Sequence, residues 1–291
     1  MLRIVMLTSF AMLAFAGNSV LSRLALASGS IDAASFSSIR LLSGIAILAL
    51  LLPLVAKVKS GEKGHFQQMF RGSYKAAVYL FLYVIGFSYA YLTLDTGVGA
   101  LILFGSVQLT MILISLFGGT RFRQLEWLGL LMAVVGFVYL VWPSLTEPSL
   151  VGFILMTLAG IAWGLYTLKG RGAEQPVRDT AYNFIKTLPM VAVLMALTLT
   201  EARFDIQGVM LAVASGALAS GLGYAIWYMA LTGLQNVQAA VVQLTVPVIA
   251  AMGGVIFAGE IIDERLIIAS LLVLGGVLCV FLSRHQAAKT A

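Results

Sequence analysis

Two cations stand inside stretches of this chain that are otherwise apolar, Arg40 within "SSIRLLSG" and Lys186. A charge at the centre of a membrane helix costs about 2.5 to 3.5 kcal/mol and normally faces a cavity or a partner. The chemistry these two offer is recognition of an anion, a carboxylate above all. The competing uses are snorkelling toward the nearer headgroups or pairing with a helix-end carbonyl. Polar amides form a second set. "VQLT" occurs at Val107 to Thr110 and again at Val242 to Thr245, so Gln108 and Gln243 repeat, with Asn18, Ser19 and Asn183 elsewhere. Such groups hold helices together at about 1 kcal/mol each, or they line a cavity; the duplicated glutamines favour the cavity. Aromatic rings form the third set. Tyr79, Tyr83 and Phe87 recur every fourth residue and so share a helix face, Trp163 lies near Tyr166, and Tyr224, Trp227 and Tyr228 cluster. Rings at headgroup level are interface anchors, but Trp163 sits near mid-helix, where it can stack on a ring or meet an ammonium. The candidate binding residues are therefore Asn18, Arg40, Tyr79, Tyr83, Gln108, Trp163, Tyr166, Lys186, Tyr224 and Gln243.

Other chemistry is excluded by what the apolar stretches lack. Every acid falls in a loop or at a segment end: Asp32, Glu62, Asp95, Glu126, Glu147, Glu174, Asp179, Glu201, Asp205, Glu260, Asp263 and Glu264. Both histidines, His65 and His285, fall in polar stretches, and Cys279 stands alone. No metal site or cofactor is expected, and neither H-E-x-x-H nor G-x-S-x-G occurs. An intramembrane enzyme would need an acid or base inside a helix, so the chain is expected not to be an enzyme. A retinal Schiff base on Lys186 would need a buried counterion, which is not expected. The same lack of a buried carboxylate predicts downhill movement or exchange, since proton relays are usually intramembrane Asp, Glu or His.

The elements that must position these residues follow from composition. The chain is 60% hydrophobic and 10% charged, against roughly a quarter charged in water-soluble domains, and its mean hydropathy is +1.00. Apolar runs near 4–23, 34–55, 75–94, 97–118, 125–142, 149–169, 180–200, 207–231, 234–258 and 264–283 predict ten transmembrane helices. The joins "ASGSID", "LDTG", "WPSLTEPS" and "LTGLQN" are short turn sequences, and the longest, "KVKSGEKGHFQQMFRGSYK", leaves no room for a soluble domain. With the N-terminus inside, Arg3, Lys57, Lys59, Lys63, Arg71, Lys75, Arg121, Arg123, Lys169, Arg171, Arg178, Arg284 and Lys289 fall on the cytoplasmic side, and only Arg23, Arg203 and Arg265 on the other. Both termini are expected to be cytoplasmic. The net charge of +6 is explained by this orientation and not by nucleic acid. Arg3 and "AFA" at 14 to 16 also fit a signal peptide, but its removal would leave one helix of the repeat described next without a counterpart.

At an offset of 135 residues, Gln108 matches Gln243, Tyr89-Ala90 matches Tyr224-Ala225, Ile114 matches Ile249 and Gly118-Gly119 matches Gly253-Gly254. At an offset of 146, Ala16 matches Ala162, Arg23 matches Lys169, Ile39 matches Ile185, Arg40 matches Lys186 and Leu42 matches Leu188. The chain is therefore expected to be a five-helix unit in tandem, residues 1–146 and 147–291. Five being odd, the halves enter the membrane from opposite faces. Inverted repeats characterise secondary transporters, whose substrate sits near the midplane between halves that rock. "GIAWG" and "SGALASGLG" read as close-packing sequences, and Pro189 and Pro247 as kinks.

Ten helices, the repeat, "GNSVLSRLAL", "SSIRLLSG" and "QLTVPVIAAMGGVIFAGE" followed by "DERL" resemble the EamA-type branch of the drug/metabolite transporter superfamily, over essentially the whole chain. The resemblance implies an all-α polytopic protein of the bacterial inner membrane with a cavity between the halves. It implies export of amino acids, aromatic or otherwise hydrophobic ones among them, or of related small metabolites; broad efflux of toxic or lipophilic compounds is the alternative. A small-molecule substrate and membrane lipids are the expected partners, and the protein is expected to act as a monomer. One departure is visible: Pro247 has Ile112 at the matching place.

Overall fold

Segments this apolar must satisfy every backbone N–H and C=O internally, and helices do so within one segment. The computed structural model describes residues 2–56, 72–119, 122–141, 149–170, 175–231, 233–234 and 236–290. Lys57, Lys59, Glu62, Lys63, His65, Arg71, Arg121, Glu147, Arg171 and Glu174 lie outside the described residues. The first half supplies α1 (Leu2–Ala27), α2 (Ala33–Ala56), α3 (Tyr74–Ala90), α4 (Thr96–Phe117) and α5 (Gln124–Val141). The second supplies α6 (Leu150–Gly170), α7 (Pro176–Ile185), α8 (Leu188–Thr198), α9 (Ile206–Ala214), a π-helical segment (Ser215–Leu222), α10 (Gly223–Leu231), α11 (Asn236–Gln243), α12 (Val246–Ala258) and α13 (Glu264–Thr290). Among the described residues, eight helical stretches are long and apolar enough to cross a membrane, and Tyr74–Ala90 and Gln124–Leu140 are shorter apolar helices.

Three of the long stretches are not regular. α7 and α8 are separated by a turn at Lys186 and Thr187, and α11 and α12 by one at Leu244 and Thr245. Pro189 and Pro247 sit in the first turn of α8 and α12. A proline offers no N–H and its ring crowds the carbonyl four residues back, so the helix ends and restarts instead of merely bending. The third irregular stretch runs α9, π segment, α10 without a stop.

Packing pairs helices across the two halves: α5 with α13, α3 and α4 with α6, α2 with the π segment, α1 with α10, and α12 with α1 and α4. Glycines permit the closest of these approaches. A methyl group on Gly160 would strike Ser106 and the Leu103 carbonyl, one on Gly164 would press on Thr110, and one on Gly216 would strike Ser43 and the Arg40 carbonyl. At one end of the bundle residues 28–32 pair with 203–205. Ile31 bridges Phe204, and the Asp32 carboxylate accepts from the Ser35 and Arg203 amides. Burial alone would raise the Asp32 carboxyl, but these donors outweigh it and hold it below its ordinary 3.8.

The α5/α13 contact is the clearest test of backbone-to-backbone packing. Gly129 and Gly276 each face the other's carbonyl at a distance no Cβ tolerates. Gly276→Val should destabilise the fold by about 1 to 3 kcal/mol through overpacking, read as a lower melting temperature in detergent. Gly275→Ala, whose added methyl meets only the flexible tip of Met132, should melt no lower than the parent.

Candidate functional site

The site is assembled around one guanidinium. Arg40, in α2, is 0% exposed, so it does not snorkel. Its Nε donates to Ser220 Oγ at 3.2 Å and its Nη2 to the Tyr83 hydroxyl at 2.9 Å. Its Cζ lies 5.2 Å from the Tyr83 ring centroid and 4.8 Å from that of Phe87. Nη1 is buried and has no hydrogen-bond partner. A charged donor left unpaired in an apolar interior is expensive, and the atom keeps a donor capacity of the kind an anion satisfies.

The π segment supplies the serine side of this arrangement. Its hydrogen bonds run from i to i+5, so Ser215 and Ser220 fall on roughly the same side of the segment, whereas in a regular α-helix at 3.6 residues per turn they would diverge widely. Ser220 meets Arg40, while Ser215 Oγ donates to Asn18 Oδ1 at 2.6 Å. Asn18 Nδ2 donates in turn to the Tyr83 hydroxyl at 3.4 Å. One network therefore joins α1, α2, α3 and the π segment.

Aromatic rings close over it. Trp163 of α6 lies 4.8 Å from Tyr83, 5.2 Å from Tyr166 and 4.9 Å from Tyr224. Phe15 abuts Tyr224 and Trp227. Between them remains a cavity of about 20 Å³, lined by Phe15, Asn18, Tyr83, Phe87, Leu103, Phe104, Trp163, Ala219 and Tyr224. That is space for about one water molecule between these rings.

Of the ten residues singled out in the sequence, Asn18, Tyr83, Trp163 and Tyr224 line this cavity, Arg40 is bonded to its wall and Tyr166 stacks behind Trp163. The other four lie elsewhere. Tyr79 packs partly buried against the core. Gln108 is fully buried one turn beyond Phe104, and both its amide atoms lack hydrogen-bond partners. Gln243, at the end of α11, donates to Ala239 O in its own helix. Lys186 occupies the α7/α8 break, where Nζ donates to Gly72 O at 2.9 Å and lies 4.8 Å from the Tyr74 ring. The two copies of "VQLT" thus have different surroundings, and Lys186 serves a carbonyl while its sequence partner Arg40 serves the cavity.

The expectation of no buried carboxylate is corrected. Glu126 is 3% exposed, and the Glu260 side chain is 10% exposed. Both lie at helix ends, and a position at a helix end sets depth along the axis but not how much neighbouring helices cover it. Glu260, just past α12, accepts from Arg23 Nε at 3.1 Å, from the Thr96 amide at 2.9 Å and from Thr96 Oγ1 at 3.0 Å. Arg23 also bonds Asp95 at 2.8 Å and the Tyr91 carbonyl at 3.3 Å. This clasp ties α1, the end of α3, the N-terminus of α4 and the end of α12, and the anion is well placed at a helix start. α1 arrives at this end of the bundle and α13 departs from it, so the start of α1 and the end of α13 lie at the other end.

Among known proteins, the profile of the EamA-like transporter family matches residues 150–282. Uncharacterized protein PA1977 of Pseudomonas aeruginosa is 46% identical over 282 residues, covering 97% of this chain and 96% of that protein. The threonine/homoserine exporter RhtA of Escherichia coli K12 is 27% identical over 160 residues, covering 54% of this chain and 53% of RhtA. A crystal structure at 18% identity superposes with a TM-score of 0.62 over 94% of this chain and 98% of the other, a likeness of fold alone.

The clasp should act as a seal. In a Cys279→Ser background with Ala219→Cys reporting from the cavity, Glu260→Gln should speed labelling by a membrane-impermeant maleimide, applied to the face opposite the termini, by about tenfold, since hydrogen bonds to charged groups contribute about 1.5 to 3 kcal/mol. Unchanged labelling would show that the clasp does not close that face.

Proposed function

Since the chain belongs to the EamA-like transporter family of the drug/metabolite transporter superfamily, we infer that it exports amino acids, hydrophobic or aromatic ones among them, across the bacterial inner membrane by alternating access. The single observation that carries this reading is the buried Arg40 with Nη1 unpartnered beside an aromatic cavity. A substrate carboxylate meets Arg40, and its side chain lies among Trp163, Tyr224 and Tyr83. The name of RhtA, an exporter of threonine and homoserine, supports an amino-acid cargo, and the rings favour a larger side chain.

The architecture proposed for this cycle is ten spans as inverted repeats, 1–146 and 147–291, with both termini cytoplasmic. In it α7 with α8, α9 with α10, and α11 with α12 each form one span. Packing that pairs helices across the two halves supports the repeat, as does a family match confined to residues 150–282. Loading from the cytoplasm then requires the halves to part at the end carrying the termini while the Arg23–Glu260 clasp holds the other. Release requires the clasp to open.

The test is efflux of preloaded labelled amino acids from proteoliposomes, with and without a pH gradient. Arg40→Lys keeps the charge but loses the planar fork that spans Ser220 and Tyr83. Arg40→Lys should slow efflux by about tenfold or more, the worth of one charged hydrogen bond, and Trp163→Ala by up to about tenfold through its lost ring contacts. Amino-acid efflux that both variants leave unchanged would remove the cavity from the mechanism. Movement of lipophilic cations in place of amino acids would assign the protein to broad efflux.

A further inference from the structure

A second recess lies away from the central cavity, on the flank formed by α12 and α13. It has two parts. A groove of about 710 Å³ is lined almost wholly by apolar side chains, among them Val248, Met252, Ile267 and Leu271, which are 51%, 55%, 50% and 68% exposed. Beside it is a polar recess of about 140 Å³ that includes Asp95, Glu260, Asp263 and Arg265. Ala251, Ile262 and Leu266 belong to both walls, so the two form one amphipathic trough. From Leu266 to Leu278 the groove follows α13 for about 18 Å at 1.5 Å per residue, against about 15 Å for half the hydrocarbon core.

We propose that this trough is a binding site for a zwitterionic aminophospholipid, one acyl chain in the groove and the headgroup in the polar recess at the clasp end. The groove faces hydrocarbon, and a concave apolar surface left empty there would forfeit its dispersion contacts. Its length matches a single leaflet. The charges select the headgroup. Arg23 and Arg265 stand against Asp95, Glu260 and Asp263, and Arg23 is already engaged with Asp95 and Glu260. A local excess of one carboxylate repels an anionic headgroup and accepts an ammonium, while Arg265, which bonds Leu140 O at 3.5 Å and lies 5.9 Å from the Tyr139 ring, adds the phosphate to the contacts it already makes. The groove also runs over Leu244, Thr245 and Pro247, so the chain braces the break between α11 and α12.

The test is native mass spectrometry of the full chain, delipidated and then titrated with phosphatidylethanolamine or phosphatidylglycerol of identical acyl chains. The expected result is a one-lipid adduct with phosphatidylethanolamine at a concentration at least tenfold below that needed for phosphatidylglycerol. Leu271→Trp, which fills the groove from an exposed position, should remove that adduct, and Asp263→Asn should remove the headgroup preference, both with the parent's melting temperature before lipid is added. Equal binding of the two lipids, an adduct indifferent to Leu271→Trp, or a dimer peak that Leu271→Trp abolishes would each overturn the proposal.

Discussion

A guanidinium sealed from water must be given its hydrogen bonds by the protein, and Arg40 imposes that requirement on everything around it. No single helix can meet it. Ser220 comes from the π segment, Tyr83 from α3, the second ring from Phe87 one turn on, and Asn18 reaches the same hydroxyl from α1. The glycine at 216 exists in the same frame, since a side chain there would push α2 from the segment that carries Ser220. Close packing, irregular helix and polar network are thus one solution to the cost of burying a charge.

The network is also joined to the clasp by short physical steps. Phe87 packs edge-on against Tyr91 at 4.7 Å, and the carbonyl of Tyr91 accepts from Arg23. Along α1, Asn18 belongs to the cavity and Arg23 to the clasp, barely more than a turn apart. A side chain shifted in the cavity therefore has two rigid neighbours through which to press on the ion pairs. Packed contacts of this kind hold discrete arrangements and resist gradual deformation.

That the chain is all-helical with several membrane-length apolar helices was legible in its composition, and charges, amides and indoles are conspicuous in so apolar a chain. Arg40 and Trp163 stand out by type and depth alone. What escaped detection depends on register and lateral packing. Ser215 and Ser220 lie in a run that reads as close-packing sequence, and the π-helical winding brings both to the side facing α1 and α2. Glu260 reads as a loop acid because nothing in its neighbourhood tells that Thr96 and Arg23 will cover it. Lys186 matches Arg40 in the repeat, yet a proline three residues on breaks its helix and turns it to a loop carbonyl. Positions that match in sequence at a fixed offset need not share surroundings.

The smallness of the central cavity has a mechanical side. A void of about 20 Å³ must swell by the volume of whatever enters it, and its walls are as incompressible as any protein interior. The added volume has to appear as area, pushed outward into the plane of the bilayer. A cargo held there, as proposed, would be admitted against the lateral pressure of the surrounding chains, and the stiffness of the membrane would then enter the rate.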